Sequence, residues 1–233
     1  MRKKRLGLFL AGCILLIGCV LLLYTPINQW LEGRRQSEVC ADYDSATDGM
    51  DDSAMEQELR KAKKYNHDLS TQVALSDPFE NKVDTTTTDY DALLRASTDG
   101  VMAYVEIPKI SVSLPVYHGV SSSVLNKGVG HLPETSLPVG GESTHAVLAG
   151  HSGMSHARLF TDLPKLEVGD EFYIHVYGKK LHYKVDQIKK VRPWDTQDLN
   201  IVEGQDYVTL LTCVPIAVNS HRLLVRGIRV ENS

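Results

Sequence analysis

Hydrophobic residues fall into three textures along the chain. Residues 6–24 run Leu-Gly-Leu-Phe-Leu-Ala-Gly-Cys-Ile-Leu-Leu-Ile-Gly-Cys-Val-Leu-Leu-Leu-Tyr without a charge. As a helix this stretch reaches about 28 Å, close to the hydrocarbon thickness of a bilayer. Residues 36–66 are polar, and only Met55, Leu59 and Ala62 repeat at the i, i+4, i+7 spacing of a narrow amphipathic stripe. Residues 67–90 lose periodicity at Asp77-Pro78-Phe79, Asn81-Lys82 and Thr85-Thr86-Thr87-Thr88 and read as loop.

From about residue 101 the pattern becomes strand-like. Short β-branched or aromatic runs cover 101–107, 112–117, 146–149, 171–177, 182–185, 207–212 and 223–230, and turn residues separate them. Tyr177-Gly178-Lys179-Lys180 has the look of a hairpin turn. Only Met154 to Leu163 reads as helix in this part. So many short strands point to a mostly antiparallel sandwich or closed barrel.

Charge sharpens the reading. The net charge of −4 contains Arg2, Lys3, Lys4 and Arg5, and without them the chain sits near −8. An acidic body lacks the basic footprint that phosphate backbones need, so no nucleic-acid partner is expected. The basic cluster ahead of the apolar run predicts a cytoplasmic N-terminus and an outward-facing remainder. Thr25-Pro26-Ile27-Asn28 offers no small-x-small cleavage site, which favours an uncleaved single-pass anchor with Tyr24 and Trp30 at the interface over a cleaved signal. The expected divisions are 1–5 basic segment, 6–24 transmembrane anchor, 25–66 stalk and helical segment, 67–95 lid loop and 96–233 β-barrel catalytic domain.

The candidate chemistry centres on one thiol. Cys13 and Cys19 lie in the apolar run and Cys40 in the polar stalk, whereas Cys213 ends a strand just before Val214-Pro215. A thiol nucleophile needs cationic neighbours and an imidazole to move protons. Of nine histidines, His151 follows Ala146-Val147-Leu148-Ala149-Gly150 and precedes Ser152-Gly153, so small neighbours let it project from a strand end. Arg222 opens the last strand, and a short return through 217–220 brings it beside Cys213, where a guanidinium can stabilise a thiolate or an oxyanion. A buried structural thiol and an ordinary surface arginine are the plainer readings of the same residues.

Thr209-Leu210-Leu211-Thr212-Cys213 with Arg222 in Asn219-Ser220-His221-Arg222-Leu223-Leu224-Val225-Arg226-Gly227 resembles the sortase signature, and Ala149-Gly150-His151-Ser152-Gly153 resembles the segment around the family's histidine. Asp77-Pro78-Phe79 resembles the lid of class C, the pilin-polymerising sortases, and the 139–145 segment is similar to that class too. The resemblance implies a mostly β fold, a closed eight-stranded barrel with short helices and an N-terminal helical and lid extension. It implies Cys213 as nucleophile, His151 as general acid and base, Arg222 as oxyanion and substrate stabiliser, and Asp77, Pro78 and Phe79 as lid.

The implied reaction is transpeptidation. The Thr–Gly bond of a Leu-Pro-x-Thr-Gly-like sorting signal is cleaved, and the acyl group passes to a lysine amine of a pilin. Partners are then pilin subunits and the cell membrane. Neither a cofactor nor a metal is expected, since no acidic calcium loop occurs in the sequence. Anchoring of surface proteins to cell-wall peptide, or a non-catalytic extracellular binding barrel, are the alternatives. Leu132-Pro133-Glu134-Thr135-Ser136 mimics a sorting signal but is expected inside the barrel.

Overall fold

The structure is a computed structural model and describes residues 2–69, 77–79, 88–96 and 99–230. Of the 67–95 segment, residues 70–76 and 80–87, with Asn81-Lys82 and most of the threonine tract, lie outside the described residues. Two helices come first, α1 (Arg2–Asp48) and α2 (Asp52–Asp68), then the short α3 (Thr88–Ala92). The strands are β1 (Val101–Ile107), β2 (Val112–His118), β3 (Val129–His131), β4 (Thr144–Ala149), β5 (Glu171–Val176), β6 (Lys179–Val191), β7 (Asp206–Val214) and β8 (His221–Arg229), with α4 (Ser122–Leu125) between β2 and β3. They close into a barrel in the order β1-β2-β3-β4-β7-β8-β6-β5, the closed eight-stranded architecture that the resemblance implied.

The strand expectations hold at seven places, with two refinements. β3 is only Val-Gly-His, too short to show alternation, and the sheet is mixed: β2–β3 and β4–β7 are parallel. One expectation fails. Met154 to Leu163 is not helical but a run of turns ending in a 3₁₀ turn, Leu163–Lys165. Gly153 and Leu159 take positive φ values of 73° and 39°, and the Phe160 amide donates to the His151 carbonyl at 3.1 Å, so the helical ladder never starts. The hairpin turn does form, with Tyr177 and Gly178 at φ 46° and 70°, the left-handed pair of a type I′ turn.

The stalk is helix. α1 runs unbroken from the apolar segment to Asp48 and lays Gln36, Cys40, Tyr43 and Thr47 against the barrel at helical spacing. The Tyr43 hydroxyl donates to the Met102 carbonyl at 2.9 Å and accepts from the Tyr177 amide at 3.1 Å, while Tyr104 donates to Asp44 at 2.8 Å. On α2, Leu59 and Ala62 are buried and Met55 packs at the core edge, as the stripe predicted. Asn66 adds a two-way clamp on the backbone of Leu137, at 3.0 and 2.7 Å.

Inside the barrel Phe172 and Tyr183 stack at 5.6 Å, and Gly227 on β8 leaves room for them. A Cβ at Gly227 would lie 2.5 Å from the Phe172 ring and 3.0 Å from the Tyr183 Cβ. Both rings are fully buried, so Gly227→Ala overpacks the core and lowers unfolding stability by about 1–3 kcal/mol. Denaturant titration of the purified chain checks this; an unchanged midpoint contradicts the packing argument.

Candidate active site

Barrel topology brings the chemistry to one end. In the parallel β4–β7 pair Ala149 lies opposite Leu211, and the Gly150 amide donates to the Leu211 carbonyl at 3.0 Å. Continuing that register sets His151 beside Cys213. In the antiparallel β7–β8 pair Cys213 faces Arg222 directly. Three residues far apart in sequence thus share one strand-end row.

Local hydrogen bonds lock the row. Thr212 Oγ1 donates to the Gly150 carbonyl at 2.7 Å, and Ser152 Oγ donates to the Cys213 carbonyl at 2.6 Å. Arg222 Nη1 donates to the carbonyls of Asn219 at 2.9 Å and His221 at 3.2 Å, which holds the guanidinium in the β7–β8 turn. The glycines beside the imidazole are sterically required. A Cβ at Gly150 would meet the Phe160 ring at 2.7 Å, and one at Gly153 would meet Ile216 Cγ2 at 2.4 Å.

Asp77 and Phe79 cover the row. Arg222 Nε donates to Asp77 Oδ1 at 2.8 Å, and Nη2 donates to Oδ2, a bidentate pair with both partners buried. The Phe79 ring lies 5.6 Å from the His151 ring and 5.3 Å from the Arg222 guanidinium carbon, so one aromatic side chain touches both.

Burial sets the electrostatics. Cys213 is 7% exposed, and its thiol is pushed up to about 11, first by desolvation and then by the Asp77 carboxylate, against the opposing pull of Arg222. His151 is held below its ordinary value by desolvation and by the nearby charge of His156. In this covered arrangement both shifts, up for the thiol and down for the imidazole, favour the neutral forms.

The other candidates from the sequence scatter. Cys40 is buried near Tyr104 and Tyr117, and its thiol is raised to about 12 by desolvation and then by Asp44. His131 and His145 are interior residues, each lowered to about 4 chiefly by burial. His131 bonds the Ser136 carbonyl and Tyr90, while His145 bonds Asn200 and Thr209. His175 and His182 lie on β5 and β6, His221 opens β8, and His156 is exposed in the 154–162 turns. Leu132, Thr135 and Ser136 are buried in the connection between β3 and β4. No group of His, Cys, Asp and Glu arranged to hold a metal occurs among the described residues. The Ser152 link was not singled out from the sequence, although its position between His151 and Gly153 was on view.

Comparison with known proteins agrees with this geometry. Residues 105–230 match the sortase domain family. The chain is 32% identical to sortase A of Bacillus anthracis over 127 residues, which make up 54% of this chain and 59% of that one. Among solved structures it is similar to sortase C-1 of Streptococcus pneumoniae, with a TM-score of 0.78 and 44% identity over 84% of this chain and 100% of that one. It is also similar to sortase C1 of GBS pilus island 1, with a TM-score of 0.76 and 41% identity over 85% of this chain and 93% of that one.

Proposed function

The chain belongs to the sortase family, and we propose that it is a class C, pilin-joining cysteine transpeptidase held at the membrane by α1. The observation that carries the reading is the meeting of Cys213, His151 and Arg222 at one barrel end beneath Asp77 and Phe79. The pilus-island name of a structural relative supports pilin as the substrate class.

The reaction proceeds in two acyl transfers. With the lid displaced, His151 accepts the Cys213 proton as sulfur attacks the Thr carbonyl carbon of a Leu-Pro-x-Thr-Gly-like signal. Arg222, released from Asp77, donates hydrogen bonds to the developing oxyanion. The imidazolium then protonates the departing Gly amine, the C–N bond breaks, and a thioester to Cys213 remains. A neutral lysine amine of a second pilin attacks that thioester. Its surplus proton passes to His151 and on to the departing Cys213 sulfur, leaving an isopeptide bond and the enzyme as it began.

Asp77 acts as an internal stand-in for substrate, because its two oxygens occupy the donors that an oxyanion needs. α1 has the length and apolar composition to cross a membrane, and its most apolar window is wholly unburied. The basic residues at its start, ahead of the apolar stretch, set the N-terminus on the cytoplasmic side and the barrel outside.

The test is incubation of the full chain, in lipid nanodiscs, with purified pilins and sorting-signal peptides. Isopeptide-linked ladders and a thioester at Cys213 support the proposal. Attachment of single proteins to cell-wall peptide alone supports the anchoring alternative. Absence of any thioester overturns the enzymatic reading.

A further inference from the structure

The contacts along α1 fix which barrel end faces the bilayer. Exposed apolar residues continue past Tyr24 to Ile27, Trp30 and Leu31, so the edge of the membrane segment lies between Tyr24 and Leu31. Within that edge, Gln29 Nε2 donates to the Met154 carbonyl at 3.1 Å, three residues beyond His151. Farther along the helix, Trp30, Arg34 and Glu38 line a groove of about 540 Å³ with Ser111–Leu114 at the start of β2 and with Arg158. Farther still, Tyr43 reaches Met102 at the start of β1 and Tyr177 at the β5–β6 turn. Travelling away from the membrane thus means travelling from the His151 end of the barrel to the opposite end. Gln29 and Tyr43 are separated by about 21 Å of helix rise, a full strand length.

The strand directions place the remaining loops. Cys213 and Arg222 end β7 and begin β8, Val191 pairs with Arg222, and Glu171 begins β5 beside Lys184 of β6. The loops 166–170, 192–196 and 215–220 therefore all leave from the His151 end. Among the described residues, the large exposed apolar side chains on the barrel are Val168, Trp194, Val202, Ile216 and Val218. Four of the five lie on these loops, and Val202 alone precedes β7 at the far end. The Arg192 guanidinium carbon lies 5.9 Å from the centre of the Trp194 ring, and Lys190 is exposed two residues earlier. Trp194, Ile216 and Val218 follow the Val191–Arg222–Cys213 row, with Lys190, Arg192 and Asp195 beside them, and make the composition of an interfacial belt.

We propose that the catalytic end of the barrel docks on an anionic bilayer surface, with Trp194, Ile216 and Val218 at headgroup depth and Lys190 and Arg192 against lipid phosphates. This rests on the reading of α1 as a membrane span. The bond from Gln29, at the Tyr24–Leu31 edge of the membrane segment, to Met154 selects lipid as the occupant. The consequence for substrate is geometric: the thiol receives peptides whose cleaved bond lies close to their own membrane attachment. Ile216 touches Gly153 beside the imidazole, so the docked loop is the rim of the active-site row.

The test uses the full-length Trp30→Phe variant, in which Trp194 is the one remaining tryptophan, in vesicles containing phosphatidylglycerol and a lipid nitroxide. Flotation first reports membrane insertion. The expected result is that a shallow acyl-chain nitroxide quenches Trp194 more than a mid-chain one, and that quenching falls in phosphatidylcholine vesicles and in high salt. A chain that floats while Trp194 is unquenched by lipid and open to aqueous iodide overturns the docking and leaves the anchor standing. Trp194 shielded from both lipid and iodide also overturns it, and points to a second copy or another protein on this surface. Failure to float removes the anchor and the docking together.

Discussion

Cys213→Ala abolishes ladder formation and leaves a folded barrel. The side chain is small and 7% exposed, so deleting its sulfur removes little buried surface, and the free energy of unfolding changes by no more than about 1–2 kcal/mol. The chemistry has no substitute, because without sulfur no thioester forms, and the turnover loss is at least about 10³-fold. His151→Ala falls to a similar floor, since in the proposed mechanism the imidazole carries both proton transfers. Groups that act as a unit are not additive, so the double variant Cys213→Ala/His151→Ala is no slower than either single one. Arg222→Lys retains charge but loses the fork that grips two oxygens, and it separates charge from geometry. Gel analysis of pilin ladders and intact-mass detection of the acyl-enzyme read all four. Ladders surviving in Cys213→Ala would sink the proposed mechanism.

What the sequence disclosed depended on whether a side chain's role is local. The strands of the barrel were visible because β-branched and aromatic runs alternate with turn residues, and Tyr177-Gly178 identified its own turn. β3 escaped because its three residues owe their strand conformation to neighbours on both sides. The 154–163 stretch misled because its apolar spacing imitates a helix, while the glycine at 153 and the bond from Phe160 to His151 dictate turns. The stalk was opaque for another reason. α1 meets the barrel through Gln36, Cys40, Tyr43 and Thr47, a stripe in which half the positions are polar by composition and apolar by context. At the candidate site, the residue types at 151, 213 and 222 and the short return joining Cys213 to Arg222 were readable, but the approach of His151 follows from the parallel β4–β7 pairing, which no local pattern encodes. The Ser152 link belongs with them, since it joins strands 61 positions apart in the chain.

Asp77→Ala combined with Phe79→Ala accelerates alkylation of Cys213 by a small thiol reagent roughly a hundredfold near pH 7. With the thiol held near 11, about one molecule in 10⁴ carries the thiolate at pH 7, and the thiolate is the reactive form. Desolvation is the first cause, Arg222 opposes it, and Asp77 adds to it as the smallest of the three. Removing the carboxylate leaves Arg222 to act on the sulfur unopposed, and removing the ring readmits water, so both changes lower the thiol pKa. The larger thiolate fraction together with the opened access gives the gain in rate. In the wild type, the rate rises about tenfold per pH unit from 7 to 10 and bends only near the titration point. In the double variant the bend moves to lower pH. The single variants separate the two causes. Asp77→Ala lowers the bend by removing the charge beside the sulfur, whereas Phe79→Ala lowers it by readmitting water and also raises the rate above the bend by opening access over His151 and Arg222. Peptide mapping separates the label at Cys213 from any at Cys13 and Cys19, while Cys40 is buried and its thiol sits near 12. Rates and bends that coincide in all four proteins would show that Asp77 and Phe79 do not govern the thiol.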